Sequence, residues 1–505
     1  MTFDAIFKAY DIRGLSPEQL GPDEARAIGR GFAEFASAPA IAVGHDCRLT
    51  SPDLAAAVID GITSGGTDVV YLGEITTDML YYYSGAEEMP GLVITASHNP
   101  PEYNGMKLCL AGAAPVGVDS GLTDIKAFAT DPPSANPVRG EVRDDAALAG
   151  YVDHLFSIVD VDRFSSMRVV ADGGNGMAGI AVPTVFDRTP AELIGLYLEP
   201  DGTFPNHPAD PLRPENLVDL LSLMAEQKPD LGIAFDGDAD RAFFVDDECV
   251  PLSGSTTTAI IAEWFLRREP GASIVHNLIC SKAVPETVTA AGGVPVRTRV
   301  GHSYIKQVMK ETGAIFGGEH SAHFYFRDNF RADSGILASL VLMQIISEAG
   351  RPLSEIRRPY EPYEQSGEIN FEVERKDEAT GAVEVAFAHG AADALDGLTI
   401  DLGDRWFNLR ASNTEPVLRL NVEAPTAGDV AAIVESVSAI LEAYQMSGLL
   451  PEGLLEMMQC PRCGGSLTER AEPPSLVCDA CRIAYPIADG GIPVMLDEAA
   501  VPFDD

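Results

Sequence analysis

Positive charge is what this sequence has least of. Its 505 residues hold 35 Lys and Arg against 76 Asp and Glu, a formal net charge of −41, and lysine is scarce beside arginine. Such a surface repels phosphate backbones, so nucleic acid is not an expected partner. No uninterrupted apolar run approaches the roughly 18 residues of a membrane span, so no membrane association is expected. The first residues, Met1-Thr2-Phe3-Asp4-Ala5-Ile6-Phe7-Lys8, lack the basic start and apolar stretch of a secretory signal, which predicts a cytoplasmic location. The acidic residues are spread along the chain rather than gathered in a tail. They read as the surface of a very soluble protein, or as adaptation to a salty cytoplasm in which self-repulsion is screened.

A disulfide framework is also missing. Cys47, Cys109, Cys249 and Cys280 are scattered singly, as small buried residues tend to be. Cys460, Cys463, Cys478 and Cys481 form two C-x-x-C pairs separated by 14 residues (464 to 477). In a chain without a secretory signal this pattern reads as a metal site before it reads as disulfides. Four thiolates suit structural Zn²⁺, with no open position for catalysis, and a module that small could not fold on apolar burial alone.

What remains is ordinary for a globular protein, with 46% hydrophobic and 22% charged residues. The length predicts several domains. Strand-like runs such as 41–44, 68–73, 91–95 and 167–172 alternate with helical stretches. One helix is predicted from Ser51 to Ser64, opening Ser51-Pro52-Asp53 as a cap and a first-turn proline, and another from Ala427 to Tyr444. Strands alternating with helices imply an α/β architecture.

Two segments carry chemistry. Thr95-Ala96-Ser97-His98-Asn99-Pro100 places a hydroxyl in a short polar turn after the apolar run Gly91-Leu92-Val93-Ile94. Alone it is compatible with an ordinary turn, because Ser, Asn and Pro are turn residues, and a serine needs partners to become a nucleophile. Asp236-Gly237-Asp238-Ala239-Asp240-Arg241 follows the apolar run 231–235 and sets three carboxylates at alternate positions. An EF-hand loop would need glycine where Arg241 stands. A serine turn together with a carboxylate cluster for a hard cation is the equipment of metal-assisted phosphoryl transfer, with Arg241 placed to bind the same phosphoryl oxygens. By contrast, Asp172-Gly173-Gly174-Asn175-Gly176 lacks the spacing of a phosphate loop and reads as a structural turn. Asp46 and Arg48 read as a local brace of the first domain.

Over about residues 1–447 the chain resembles the α-D-phosphohexomutase family, and within it the bacterial phosphomannomutase/phosphoglucomutase group. Five segments in order carry the resemblance: Tyr10-Asp11-Ile12-Arg13-Gly14, the Ser97 turn, the Asp236-to-Arg241 loop, Gly318-Glu319-His320-Ser321-Ala322-His323, and Arg410-Ala411-Ser412-Asn413-Thr414-Glu415-Pro416. The resemblance implies an α/β fold of four domains. These would be 1–150 with the phosphoserine loop, 151–252 with the Mg²⁺ loop, 253–362 with the sugar-recognition loop, and a smaller α+β domain, 363–447, with a phosphate-binding loop.

It also implies roles. Ser97 would carry the phosphoryl group and, with Asp236, Asp238 and Asp240, bind Mg²⁺. Lys107 and Arg241 would flank the transferring group, with Lys107 or His98 assisting proton transfer. Tyr10 and Arg13 would line the cleft. Glu319, Ser321 and His323 would belong to the sugar-reading loop, with His302 nearby, and His320 at its third position favours mannose. Some relatives carry a sugar-contacting lysine where this chain has Ile279, and Lys282 is the expected substitute. Arg410, Ser412, Asn413 and Thr414 would grip the nonreacting phosphate. The implied activity is phosphomannomutase, with hexose phosphates as substrates, glucose phosphates accepted beside mannose phosphates, and a hexose 1,6-bisphosphate as intermediate and activator. Phosphoglucosamine or phosphoglucose mutase is the alternative within enzymes.

Residues 452–505 form a zinc-ribbon-like module. From Cys460 to Leu496 it resembles a family of small zinc-ribbon proteins whose members bind and activate methyltransferases. The resemblance implies a docking role toward a methyltransferase or another protein, against which stands a purely structural appendage.

Overall fold

The computed structural model describes residues 3–373, 375–412, 417–444, 454–470, 473–488, 492–496 and 499–503. The chain divides into two compact units, Met1–Pro362 and Tyr363–Asp505.

The first unit contains three sheets. In the first, Tyr103–Leu110 runs antiparallel between Ile12–Leu15 and Gly91–Ile94, and the sheet continues in parallel through Ala40–His45, Asp68–Glu74 and Val142–Asp144. Alternation along the strands divides the core. Ile41, Val43, Val69, Leu92 and Ile94 belong to one apolar cluster, and Ala42, Val70, Leu72 and Val93 to another. With both faces covered, the inner strands are apolar throughout. The helix predicted from Ser51 to Ser64 has those bounds, but its cap residue is Thr50. Ser51 is the first helical residue, and its hydroxyl donates to Asp46 Oδ1 at 2.5 Å rather than capping. Helix Leu148–Ile158 runs across position 150.

The second and third sheets repeat one plan. Leu231–Phe235, Arg168–Asp172 and Glu192–Leu196 are parallel, with Ala242–Val245 antiparallel at the edge beside Leu231–Phe235. Val294–Thr298, Ser273–Asn277 and Phe316–Gly318 are parallel, with Phe324–Phe326 antiparallel beside Phe316–Gly318. In all three sheets, then, one parallel strand turns back into an antiparallel neighbour. The turns between them are 95–102, 236–241 and 319–323, the segments singled out by chemistry. Each turn holds a non-glycine residue in the left-handed region: Ser97 (φ 50°), Ala239 (φ 63°) and Ala322 (φ 64°). That conformation costs L-residues energy and persists only where surroundings enforce it.

Helix Gly335–Ala349 is buried from Gly335 to Ile346 and joins the large apolar cluster that also holds second-domain strand residues. Its all-round apolar character reflects that burial. No single helix among the described residues is long and apolar enough to cross a membrane.

In the second unit, five antiparallel strands lie in the order Glu364–Glu372, Val417–Ala424, Trp406–Ala411, Leu398–Asp401, Ala391–Asp393. Their apolar residues cluster with Ala379 and Val383 of helix Lys376–Ala386 and with Val430, Ile433, Val437 and Leu441 of helix Ala427–Leu441. Thr426 caps the latter by accepting from Asp429 N–H. The helix expected to reach Tyr444 tightens into a 3₁₀ turn over Glu442–Tyr444. Farther on, Thr468–Arg470, Ser475–Cys478 and Ile483–Ala488 form an antiparallel ribbon around a small core of Cys460, Leu467, Leu476, Cys478, Ile483 and Tyr485.

Candidate active site

The Ser97 turn and the Asp236–Arg241 loop meet. Ser97 Oγ donates to Asp236 Oδ2 at 2.7 Å and lies 3.2 Å from His98 Nδ1. Arg241 donates to Asp236 Oδ2 from Nε (3.0 Å) and Nη2 (2.9 Å), and Nη2 also reaches Ser97 Oγ at 3.5 Å. Lys107 comes from the middle of strand Tyr103–Leu110 and is buried. Its ammonium donates to Asp238 Oδ2 at 2.7 Å and Asp240 Oδ2 at 2.5 Å. Thr77, at the start of helix Thr77–Ala86, donates through Oγ1 to Asp238 Oδ2 at 2.5 Å. The loops approach so closely that a Cβ on Gly237 would stand 2.3 Å from the Ser97 carbonyl oxygen, which only glycine avoids.

Three buried carboxylates here face two buried cations, which leaves negative charge uncompensated. Burial, followed by the charges of Asp238 and Asp240, pushes the Asp236 carboxyl up to about 7. Burial acts the same way on Asp238, but Lys107 overrides it and holds that group well below the usual range. Burial opposes the charge on Lys107, yet Asp238 and Asp240 hold its pKa well above the ordinary value. His98 is pushed well down, by burial first and then by Arg241 and Arg13.

These residues fit a hard divalent cation. Asp236, Asp238 and Asp240 each offer a carboxylate oxygen, and the three oxygens lie within 4.8 Å of one another. Asp238 Oδ1 and Asp240 Oδ1 are buried without any hydrogen-bond donor. Oxygen-only donors left unsatisfied around excess negative charge suit Mg²⁺.

The third turn adjoins this loop: Arg241 and His323 form an isolated antiparallel bridge. His323 Nδ1 lies 2.9 Å from Asp333 Oδ2 and 3.6 Å from Asp240 Oδ1, and Lys306 Nζ pairs with Asp333 Oδ1 at 2.8 Å. Glu319 is buried, and both its oxygens accept from protein donors, Oε1 from Tyr325 (2.6 Å) and Oε2 from Asn277 (2.9 Å). Ser321 and Lys282 are half-buried, Lys282 at the start of helix Ala283–Ala290. Tyr10 packs edge-on against His302, with ring centroids 5.6 Å apart, and donates to the Val300 carbonyl. Arg13 donates to Asn99 Oδ1 of the serine turn and to Asp11 Oδ2, both at 2.5 Å.

In the second unit, Arg410 donates to Glu368 at 3.2 Å, and Ser412 N–H to the Val417 carbonyl at 3.0 Å. Asn413 and Thr414 lie outside the described residues. The four ribbon cysteines are free of disulfides, and their sulfurs lie within 4.8 Å of one another, with Cys460–Cys481 at 4.0 Å and Cys463–Cys478 at 3.5 Å. A tetrahedron with Zn–S arms of about 2.3 Å has edges of about 3.8 Å, so this cluster fits zinc.

Known proteins resemble the chain over most of its length. Phosphoglucomutase/phosphomannomutase profiles match domain by domain: alpha/beta/alpha domain I over residues 4–131, domain II over 149–249, domain III over 253–363 and the C-terminal domain over 368–440. A phosphomannomutase of Escherichia coli K12 is 41% identical over 438 residues, covering 84% of this chain and 95% of the relative. The chain belongs to the phosphoglucomutase/phosphomannomutase family. Another phosphomannomutase of that family, from Salmonella montevideo, is 39% identical over 450 residues, covering 86% of this chain and 98% of the relative. The crystal structure of a family protein from Burkholderia thailandensis superposes with a TM-score of 0.81 at 30% identity, covering 88% of this chain and 98% of that one. Residues 452–490 match the Trm112p-like protein profile. The four-domain α/β architecture of the family is thus followed by a Trm112p-like ribbon.

Several residues at the centre of this geometry carry no motif. Thr77 binds Asp238, and its only sequence signal is the helix-start pattern Thr76-Thr77-Asp78 after a strand. Lys306 and Asp333 meet across 27 positions, which no spacing rule marks. The glycine turn 173–176 proves to be a support: Asp172 Oδ1 accepts from Gly174 N–H, and Met177 N–H donates to the Gly237 carbonyl.

Proposed function

We propose that the protein is a Mg²⁺-dependent phosphomannomutase that interconverts mannose 1-phosphate and mannose 6-phosphate, with glucose phosphates as further substrates. The observation that carries this reading is Ser97 Oγ held 2.7 Å from Asp236 beside Arg241 and Lys107. The relatives named phosphomannomutase support the choice of sugar.

Phospho-Ser97 would pass its phosphoryl group to the free hydroxyl of a hexose 1- or 6-phosphate. The Ser97 O–P bond breaks, the sugar O–P bond forms, the proton of the sugar hydroxyl passes by way of His98 or Asp236 to the Ser97 oxygen, and a hexose 1,6-bisphosphate results. After the bisphosphate reorients, Ser97 Oγ takes the other phosphoryl group. Its own proton leaves toward His98 Nδ1 or Asp236 Oδ2, the two acceptors within reach. Lys107 donates to two carboxylates at once and therefore acts as a cation, not as a base. Arg241 stabilises charge on the transferring oxygens. A Mg²⁺ ion held by Asp236, Asp238, Asp240 and the Ser97 side chain would supply further neutralisation of that charge. Glu319, Ser321 and His323, with His302 and Lys282, would read the sugar, and Arg410, Ser412, Asn413 and Thr414 its distal phosphate. A trace of the bisphosphate would activate an enzyme that has lost its phosphate.

The deciding experiment is turnover of mannose 1-phosphate with Mg²⁺ and a trace of hexose 1,6-bisphosphate by wild type and Ser97→Ala. Wild-type turnover abolished by the substitution is expected. Turnover only on glucosamine or glucose phosphates would move the reading to those mutases, and inactivity on all three would refute it.

The ribbon supports a second role, docking to a methyltransferase. Its likeness to Trm112p-like proteins is joined by large apolar side chains left exposed: Met457, Ile492, Leu496 and Val501. Capture of a methyltransferase by the full-length protein, lost on Leu496→Glu, is the expected result. A captured enzyme insensitive to that change would refute the surface.

A further inference from the structure

A turn that sends several carbonyls inward must supply them with donors, and one that holds a serine at φ 50° must also be forced to keep it there. Both needs are met by a single buried side chain. The Arg48 guanidinium donates through Nη1 to the carbonyls of Pro100 (2.7 Å) and Tyr103 (3.0 Å), and through Nη2 to those of Ser97 (2.8 Å) and Asn99 (2.6 Å). Its side chain is 1% exposed, and Nε lies 3.2 Å from Asp46 Oδ2. With Nε in ion-pair range of the carboxylate, the two Nη groups of this planar fork can serve four acceptors at once. Lysine, with three donors on one atom, cannot.

We propose that Arg48 is the positioning residue of the Ser97 turn, and that residues Gly202–Phe204 of the second domain hold it there. Arg48 braces the first domain through Asp46 and the Ser97 turn, and also joins that turn to the 202–204 segment of the second domain. The Phe204 ring lies 5.0 Å from the guanidinium carbon. A Cβ on Gly202 would stand 2.3 Å from the Cys47 carbonyl oxygen and 2.6 Å from Arg48 Cα, so the segment is pressed against Arg48. The Ser97 carbonyl is thereby caught between the guanidinium on one side and the backbone of Gly237 on the other. Arg48 touches no substrate. It fixes where Ser97 Oγ points relative to Asp236.

This inference rests on Ser97 being the phosphoryl carrier, so the full-length wild type is examined first for phosphate on Ser97 by intact mass after incubation with hexose 1,6-bisphosphate. Failure of the wild type to take up phosphate overturns that reading and this inference with it. With wild type competent, Arg48→Lys is expected to lose roughly a hundred-fold in kcat and in the rate of Ser97 phosphorylation, as small misplacements of reacting groups do. KM stays at the wild-type value, because the sugar contacts lie elsewhere. Millimolar guanidinium partly restores Arg48→Ala. Phe204→Leu leaves every buried polar contact in place, folds normally, and lowers kcat about five-fold, the scale of a cation–π contact. A folded Arg48→Lys with wild-type kcat, or one whose KM rises while its rate of Ser97 phosphorylation is unchanged, overturns the positioning role. Phe204→Leu with unchanged kcat overturns the part assigned to the second domain.

Discussion

Lys107 and Asp240 meet at 2.5 Å, an ammonium from a first-domain strand against a carboxylate from a second-domain turn, both buried. Removing Lys107 takes the ammonium from both Asp238 and Asp240, which stay buried out of water. Lys107→Met should therefore lower stability by about 3–5 kcal/mol in the absence of divalent cation. It should lower kcat at least about a hundred-fold. Added Mg²⁺ should recover part of the stability, because the two stranded carboxylates then face a cation. Thermal unfolding with and without Mg²⁺, beside steady-state kinetics, measures both; a variant as stable as wild type without metal contradicts the pairing.

Asp78 gives a pH dependence. Its carboxylate is buried among the Thr76, Tyr151 and Ser334 hydroxyls, with the charge of Asp240 also acting on it, and burial raises it from 3.8 to about 6. A group raised on folding contributes stability that is complete below its unfolded pKa and is lost as pH climbs through its folded one. Between pH 4 and 7 the wild type should thus lose about 3 kcal/mol relative to Asp78→Asn. Denaturant unfolding of both proteins across that range tests it; parallel curves would show that Asp78 does not titrate there.

The cysteine cluster should hold one zinc per chain, measured by elemental analysis of the full-length protein. A strong chelator should unfold the ribbon, because its apolar core numbers six buried residues among those described. Cys478→Ser should abolish the bound zinc. Zinc retained by that variant would place the metal elsewhere.

The charge of −41 predicts a salt response. Raising KCl from about 0.01 to 1 M shortens the screening length from about 30 to 3 Å. The unfolding midpoint should rise over that series, and a flat or falling midpoint would contradict self-repulsion as a factor in stability.

The elements legible in the sequence were those that local chemistry determines. Pro52 fixes the start of helix Ser51–Ser64, and the apolar strand runs end at polar turns that stay turns. Ser97 and the Asp236 cluster are joined in sequence by their complementary chemistry, whereas Lys107 joins Asp238 and Asp240 only by resemblance, since residues more than 130 positions apart leave no local trace of contact. The Asp46–Arg48 brace is present as expected, but its reach to the Ser97 turn leaves no motif because the acceptors are carbonyl oxygens, which every residue has. Thr50 displaced Ser51 as the cap because Asp46, one strand end away, claims the Ser51 hydroxyl. Nothing in the segment of Glu319 signals that Asn277 and Tyr325 donate to its carboxylate.

The same turn, at the same place in three successive sheets, separates tasks that most active sites entangle. Under the proposed function, nucleophile, metal and sugar each have their own peptide. Changes in 319–323 can then drift toward a new hexose while the apparatus that moves the phosphoryl group stays intact, which makes substrate range the trait most open to selection and to redesign.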